Sequence, residues 1–281
     1  MADQVKAEQY RQLVKDVAAD YRGEKISSDG EAGARHHVHA QGKVKLSWCE
    51  DCHEINLYTY WQGLGYAENT PKIKYLLVAQ DWGNPSLQEQ DFMQRIGRIN
   101  AGETDVPYVD PDDKEKFVTD ENLIELVRIL GYDNIGTTRY PDLFFTNFSL
   151  GYREGTESGG MGKTLMMNDA DYFRRLCRIL EPEKILCLGR LTFECAYEAL
   201  TGQKPSAIPG YRGSYNQFID KHLAITVPMG DGAAKMYALA HCGAIGTMNR
   251  NRDPKEIREA TGYVKPEGLD RQIRDWEAVR M

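Results

Sequence analysis

Three short apolar runs, each of which stops abruptly at a polar side chain, frame what this 281-residue sequence can fold into. The first, residues 75–79 in KYLLVAQDWGNP, has the length and composition of a buried strand and is followed by Gln80 and Asp81. In open α/β sheets ligands bind beyond the carboxyl ends of the strands, so residues at this place are candidates for catalysis. The alternative for Asp81 is a turn former or a helix cap.

The second and third apolar runs end in the same way. LFFTN ends at Asn147, and YALAH ends at His241. An acid, an amide and an imidazole therefore follow three separate strands, and parallel strands would bring them to one edge of a sheet. Taken singly, Asn147 is also consistent with a turn residue, and His241 with a buried, satisfied histidine at a strand end.

Helical patterns lie between these strands. Apolar stripes at helical spacing predict helices over residues 4–21, 122–130 and 168–180, and a further helix is expected over 87–99. KILCLG at 184–189 predicts a strand that leads directly into another helix. The alternation of strands and helices predicts an α/β fold, a three-layer α/β/α sandwich with a mostly parallel central sheet.

The chain shows no linker that would divide it, so we expect a single domain over residues 1–281. Its expected parts are an N-terminal segment with a helix and a candidate zinc knuckle (1–70), a core (71–252) and a helical C-terminal extension (253–281). The glycine-rich stretch 151–164 is predicted to be a flexible loop near the site, and 209–220 a loop or an edge strand.

Charge and hydropathy restrict the classes of function. A formal charge of −7 argues against nonspecific coating of DNA but allows a local basic cleft. No apolar stretch approaches the length of a membrane span, so we expect a cytoplasmic protein without a membrane partner. Six cysteines fit a reducing compartment, and four of them have the apolar neighbours typical of core residues: Cys177, Cys187, Cys195 and Cys242.

A pair of cysteines and a pair of histidines near the N-terminus suggest a structural metal. Cys49 and Cys52 lie thirteen residues beyond the pair His36 and His39. Two thiolates and two imidazoles at such spacings can hold zinc tetrahedrally and fix a segment that is too short for its own core. The alternative is two free thiols and surface histidines, and His37 and His53 compete as ligands.

The three motifs together resemble the uracil-DNA glycosylase superfamily. The first motif of that family, Gly-Gln-Asp-Pro-Tyr-His in one branch, is similar to residues 79–84, AQDWGN. The Thr-Asn pair of the family matches 146–147, and the His of its His-Pro-Ser motif matches His241. The likeness covers residues 73–252 in the family's order and implies a uracil-DNA glycosylase-like sandwich.

The resemblance implies a role for each residue at the strand ends. Asp81 would position water and stabilise a cationic sugar, and His241 would donate, as a neutral imidazole, to the pyrimidine O2. Asn147 would bind the pyrimidine edge, where its amide can pair with keto or amino groups. No cofactor is needed for this catalysis. A branch of the family carries an iron–sulfur cluster, but no cysteine follows Asn147 closely here, so no cluster is expected.

Departures from the family pattern bear on the substrate. Gly83 stands where the strict uracil branch has a Tyr that blocks the pyrimidine 5-position. The resemblance therefore implies an open pocket that accepts a 5-substituted pyrimidine, including bulky modified cytosines such as those of phage genomes. Gln80, Trp82 and Phe92 are further candidates for substrate binding, because aromatic walls hold an extruded base; either aromatic could instead belong to the core.

Contacts with DNA are expected from the residues after His241. Ile245 and Met248 are candidate wedges between base pairs, since HCGAIG replaces the family's loop. Arg250 and Arg252 in NRNR are candidates for phosphate contact, or else a solvated charge cluster.

The expected function is that of a monomeric DNA glycosylase that removes a damaged or modified pyrimidine from DNA. Its purpose would be base excision or defence against modified phage DNA. No lysine stands at a motif position as an amine nucleophile, so hydrolysis without strand cleavage is expected. The alternatives are a non-catalytic binder of modified DNA and a nucleotide or nucleoside hydrolase.

Overall fold

The computed structural model describes most of the chain. The described residues are 2–24, 39–48, 55, 66–67, 70–81, 98, 103, 118–135, 138–154, 161–230, 232–251 and 268–281. Their helices are α1 Ala2–Tyr21, α2 Val118–Ile129, α3 Lys163–Met166, α4 Ala170–Leu180, α5 Arg190–Thr201, α6 Tyr215–Ile219, α7 Ala244–Asn251 and α8 Asp270–Arg280. Their strands are β1 Ala40–Gln41, β2 Val44–Ser47, β3 Tyr75–Ala79, β4 Leu143–Asn147, β5 Tyr152–Glu154, β6 Lys184–Leu188, β7 Ile225–Met229 and β8 Gly232–Leu239.

A five-stranded sheet in the order β4-β3-β6-β8-β7 forms the centre of the fold. β3 pairs in parallel with β4 and β6, β6 pairs in parallel with β8, and β7 runs antiparallel to β8. The chain passes from β3 to β4 on one side and then crosses to β6 on the other, so the strand order reverses beside β3. Ligand-binding crevices form at such reversals. The edge at which β3, β4, β6 and β8 end is called the carboxyl edge.

Helices cover both faces of this sheet. One face packs against α1, α4 and α5 in a core that contains Leu13, Phe173 and Phe193. The opposite face packs against α2 and α8, with Leu126 and Trp276 fully buried. The predicted α/β class is confirmed, and the arrangement is compatible with the predicted three-layer sandwich. The sheet is mixed because its edge strand β7 runs antiparallel to β8.

Helix α1 joins the N-terminal segment to the core through the predicted apolar stripe. Tyr10, Leu13 and Val17 are buried, and Val14 and Tyr21 pack against the same core from partly exposed positions. Each large apolar side chain that is buried stabilises the fold by about 1.5–3 kcal/mol. This stripe therefore holds α1 on the sheet face.

Most other predicted helices are present among the described residues. Those at 122–130 and 168–180 correspond to α2 and α4, and the C-terminal extension contains α8. The helix predicted at 87–99 lies outside the described residues except for Arg98. Asp169 stands at the N-cap of α4, yet its carboxylate accepts hydrogen bonds from Tyr21 and the Leu150 backbone instead of from the helix.

Two stretches interpreted as loops contain secondary structure. The predicted flexible stretch 151–164 includes β5, which pairs with β2 in a small sheet of β1, β2 and β5. Within 209–220, helix α6 follows a capping box formed by Ser214 and Gln217. The S-x-x-Q spacing of that box is a sequence signal for a helix start that the loop interpretation overlooked.

The four cysteines expected in the core are buried, which confirms that prediction. Burial raises the pKa of the Cys195 thiol, and likewise that of Cys242, to about 12, so both are protonated small hydrophobic side chains. The described part of the chain contains no helix both long and apolar enough to cross a bilayer.

Candidate functional site

The three residues predicted for catalysis and base binding all lie at the carboxyl edge. Asp81 follows β3, Asn147 is the last residue of β4, and His241 follows β8. Ala79 pairs with Asn147 in register, and two further backbone hydrogen bonds, from Phe148 to Ala79 and from Ser149 to Gln80, extend the pairing beyond β4. Asp81 and Asn147 are thus held on neighbouring strands, and β6 separates them from His241.

The side-chain alternation of β4 places Asn147 on the side of the sheet that packs beneath α2 and α8. Ala79, Phe145 and Leu239 all belong to the core beneath α2 and α8. Residues two positions apart on an extended strand face the same way. Asp81, Asn147 and His241 each stand two positions after one of these core residues. The strand period therefore fixes the side of Asn147, whereas the nearness of Asp81 to His241 follows from the effect of the Asp81 charge on the imidazole.

The Asn147 amide is the most unusual group at this edge. Asn147 is 1% exposed, and neither its Nδ2 nor its Oδ1 has a hydrogen-bond partner within the structure that the described residues form. A buried polar group without a partner costs about 1–3 kcal/mol, so proteins rarely retain one without a reason. Within the described structure, both the donor and the acceptor of this amide are therefore unused.

Asp81 is held by a residue that the sequence did not point to. Arg153 on β5 donates from Nε to Asp81 Oδ1 at 2.6 Å and from Nη2 to Oδ2 at 2.8 Å. Gln80 Nε2 donates to Oδ2 at 2.8 Å. The side chains of Arg153 and Asp81 are only 2% and 6% exposed. Asp81 is therefore one half of a buried, two-pronged ion pair.

His241 is oriented as a neutral hydrogen-bond donor. The backbone N–H of Gly243 donates to His241 Nδ1 at 2.9 Å, which leaves the ring proton of the neutral form on Nε2. Burial lowers the pKa of His241, and the nearby negative charge of Asp81 opposes that effect. The imidazole is therefore neutral at physiological pH, and Asp81 is near enough to influence it.

Neighbouring helices fix the turn that carries His241. Asn122 of α2 donates to the Cys242 carbonyl at 2.8 Å, as does Thr247 of α7 at 2.9 Å. Gln272 of α8 donates to the His241 carbonyl at 3.3 Å. The adjoining helix α7 and two helices distant in sequence, α2 and α8, thus set the backbone position of this histidine.

Gly243 and Gly246 lie so close to His241 that neither position has room for a side chain. A Cβ atom on Gly246 would lie 2.3 Å from the His241 carbonyl oxygen. A Cβ atom on Gly243 would lie 2.9 Å from His241 Nδ1. Any side chain at Gly246 would collide with backbone, so the glycines of HCGAIG let α7 begin directly against the histidine.

Arg250 does not lie where the predicted phosphate contact needs it. It is 2% exposed, and its guanidinium donates to Asp275 and to the Asn216 carbonyl and contacts Asp220. These partners are far from NRNR in sequence, so the local pattern of charges does not reveal them. The structure places this arginine in the interior, and we remove it from the proposed DNA contacts.

The remaining predicted contact residues divide into exposed and undescribed ones. Ile245 is 69% exposed at the start of α7, and Met248 is partly buried. The role of either as a wedge remains a prediction. Four other candidates lie outside the described residues: Trp82, Gly83, Phe92 and Arg252.

Of the four predicted zinc ligands, only His39 lies among the described residues. His39 directs Nε2 to Asp20 Oδ2 at 3.2 Å and stacks on Tyr21 with ring centres 3.6 Å apart. The other three predicted ligands, His36, Cys49 and Cys52, lie outside the described residues. The described residues contain no group of three or more histidines, cysteines or acids that could hold a metal ion. The Nε2 atom of His39 thus contacts Asp20. A zinc site formed by these four residues remains a prediction.

Comparison with models of protein families gives no match, and no curated protein matches the chain. The function must therefore be argued from the geometry of the carboxyl edge itself.

Proposed function

We propose that this protein is a monofunctional DNA glycosylase that hydrolyses the N-glycosidic bond of a pyrimidine in DNA and leaves an abasic site. The observation that carries the proposal is the buried Asn147 amide without a partner, at the same edge as Asp81 and a neutral His241. An amide that can both donate and accept suits the edge of a pyrimidine.

The chemistry of glycosidic cleavage needs two kinds of help. The sugar becomes cationic as the bond breaks, and the departing base gains negative charge. His241 Nε2–H supplies a donor for the pyrimidine O2, because Nδ1 is occupied by Gly243. Asp81 supplies the negative charge near the sugar and an acceptor for the attacking water.

The hydrogen bonds of Asp81 leave room for that water. A carboxylate has about four lone-pair sites. Arg153 uses one on each oxygen, and Gln80 uses the second on Oδ2. Among the contacts of the described residues, one acceptor site on Oδ1 is left, and a water bound there would sit beside the substrate.

We further propose that the substrate is a 5-substituted pyrimidine, extruded from the helix so that its edge reaches Asn147. The support is the resemblance: Gly83 stands where the strict uracil branch of the similar family has a tyrosine that blocks the pyrimidine 5-position. Modified cytosines of foreign DNA and damaged bases of the cell's own DNA both fit. In this proposal the protein acts as a cytoplasmic monomer, with Trp82 and Phe92 as walls of the base pocket.

A panel of duplexes tests the proposal. Each duplex carries one uracil, thymine, 5-hydroxymethylcytosine or glucosylated 5-hydroxymethylcytosine, and released bases are measured by mass spectrometry. The wild type should release a base, preferably a 5-substituted one, and Asp81→Asn should lose about 100-fold or more in rate. Asp171→Asn, an exposed acid on α4, is the matched control. Release of uracil alone would refute the open pocket, and no release from any duplex would refute the glycosylase.

One observation favours a non-catalytic binder of modified DNA as the second candidate. Arg153 compensates the charge of Asp81, which weakens the field that a sugar cation would experience. A binder would hold a modified duplex in a gel-shift assay with no base released, and Asn147→Ala would weaken binding where Asp81→Asn would not.

A further inference from the structure

We infer that Arg153 is a positioning residue for Asp81, fixing the carboxylate so that the open acceptor site on Oδ1 faces the substrate. The inference rests on the proposed function, because it assigns a part in that reaction to a residue outside all three motifs. It begins from the two-pronged contact, in which both prongs are short and both side chains are buried.

The two prongs determine the plane of the carboxylate. A single hydrogen bond would let Asp81 rotate about its last torsion, whereas two parallel bonds from a planar guanidinium hold both oxygens at once. Gln80 then occupies the second site on Oδ2, so the two oxygens are not equivalent. Arg153 and Gln80 together select Oδ1 as the oxygen that receives water.

Arg153 is itself held by a separate part of the fold. Its backbone pairs with Leu46 of β2 in the small sheet. The chain just before it passes so close to α1 that a Cβ atom on Gly151 would lie 2.2 Å from the Tyr21 ring. The backbone that carries the guanidinium is therefore fixed by the small sheet and α1, and it does not belong to the large sheet.

Stability alone does not account for such a pair. Burying an arginine and an aspartate costs desolvation energy that their attraction offsets only in part, and apolar residues of similar size often serve as well. The pair also stands beside Asn147, whose amide is buried without a partner among the described residues. A costly pair beside an unsatisfied amide is the pattern of a site built for a ligand.

Two substitutions separate orientation from charge. Arg153→Met removes the positive charge and the two-pronged contact that orients Asp81, whereas Arg153→Lys keeps the charge but cannot make that contact. Because a displacement of about 1 Å can cost 100-fold in rate, we expect kcat to fall about 100-fold in Arg153→Met and about 10-fold in Arg153→Lys. KM should stay within about twofold in both, since the contact is with Asp81.

Three comparisons complete the experiment, which uses the best duplex of the panel and single-turnover rates. Guanidinium ion added to Arg153→Ala should restore part of the rate, which a purely structural role would not produce. Adding Arg153→Met to Asp81→Asn should cause no further loss, because the two act as one unit. Arg128→Met, which removes an exposed arginine from α2, is the matched control and should match the wild type.

The possible outcomes are distinct. Wild-type activity that is unchanged in Arg153→Met overturns the inference and leaves the glycosylase intact. A rise in KM alone, or an equal additional loss in the Asp81→Asn background, also overturns it. A wild type that releases no base from any duplex overturns the proposed function and this inference with it.

Discussion

Two buried arginine–aspartate pairs in this protein have almost the same geometry. Arg153 holds Asp81 with contacts of 2.6 and 2.8 Å, and Arg250 holds Asp275 with contacts of 2.7 and 2.6 Å. In both, Nε and Nη2 contact the two oxygens of one carboxylate. The residue types and distances alone would not tell the two apart.

Their surroundings separate them. Arg250 also contacts Asp220 and the Asn216 carbonyl, and His222 lies 3.1 Å from Asp275, so this pair is enclosed by further polar partners between α7 and α8. The pair of Arg153 instead lies at the carboxyl edge, beside the unpartnered amide and the neutral imidazole. The two pairs therefore differ in their neighbours and not in their geometry, and we expect the pair at the carboxyl edge to serve the proposed site and the other to serve the fold.

Replacing the pair at the carboxyl edge by apolar residues should have the largest effect. In Asp81→Leu with Arg153→Met, no charge is left buried, so the free energy of unfolding should stay within about 1 kcal/mol of the wild type. Base release should fall about 1,000-fold, because acid and water site are both lost. Urea unfolding and product assays measure the two quantities. Retained activity would place this pair in the same structural class as Arg250 and Asp275.

Breaking the enclosed pair should affect stability next most strongly. Arg250→Met leaves the Asp275 carboxylate buried without its main partner and should lower the free energy of unfolding by about 3–4 kcal/mol. Adding Asp275→Leu should recover most of that loss, with the rate of base release of the folded protein unchanged. Urea unfolding of the single and double variants checks this. A double variant that folds well and releases no base would contradict the comparison.

A third buried carboxylate sharpens the comparison, because the contacts of the described residues give it no arginine. Asp169 accepts hydrogen bonds from the Tyr21 hydroxyl and the Leu150 backbone. Its pKa is raised to about 6, mainly because the carboxyl group is buried; the charge of Asp20 also raises this pKa, and that of His39 lowers it. Since this folded-state pKa exceeds the unfolded value of 3.8, its stabilising contribution is full below about pH 4 and is lost as pH rises through about 6.

The full loss should be about 3 kcal/mol, of which about 2 kcal/mol falls between pH 4.5 and pH 7. Asp169→Asn should remove this part of the pH dependence, and Asp171→Asn, its exposed neighbour, should keep it. Urea unfolding at pH 4.5 and pH 7 for the three proteins gives the comparison. Equal pH dependence in the wild type and Asp169→Asn would show that burial does not shift this group as the structure indicates.

A substitution of the amide at the same edge should change stability and activity in opposite directions. Asn147→Leu replaces two unpartnered polar atoms by apolar ones of similar volume and should raise the free energy of unfolding by about 1–2 kcal/mol. Base release should be lost at the same time, because the pyrimidine edge has no partner. Thermal melts and the duplex panel measure both. A destabilised variant would mean that the amide has a partner in the folded protein.

The sequence predicted those features that depend on residues close together along the chain. The apolar runs at 75–79 and 143–147 identified two strands and their polar ends, and the stripe over 4–21 identified α1. A local pattern also placed the four cysteines in the core. In each case the signal and the structure lie within one element, so no knowledge of distant partners was needed.

Features that depend on distant partners were missed. Arg153 lies 72 residues from Asp81, in a glycine-rich stretch with no pattern that links the two. Arg250 lies 25 residues from Asp275, and its own neighbours contain no acid that would reveal an internal pair. The strands β1, β2 and β5 are short and gain their stability from pairing with each other, which period-two patterns of two to four residues cannot reveal.

The close packing of Gly246 against His241 restricts which substitutions this part of the chain can accept. Because a side chain at Gly246 would collide with the His241 backbone, a substitution there must displace the imidazole. Under the proposed function, changes of substrate preference should therefore arise outside this turn. Directed evolution of the protein should accordingly leave this turn untouched and randomise the chain after β3.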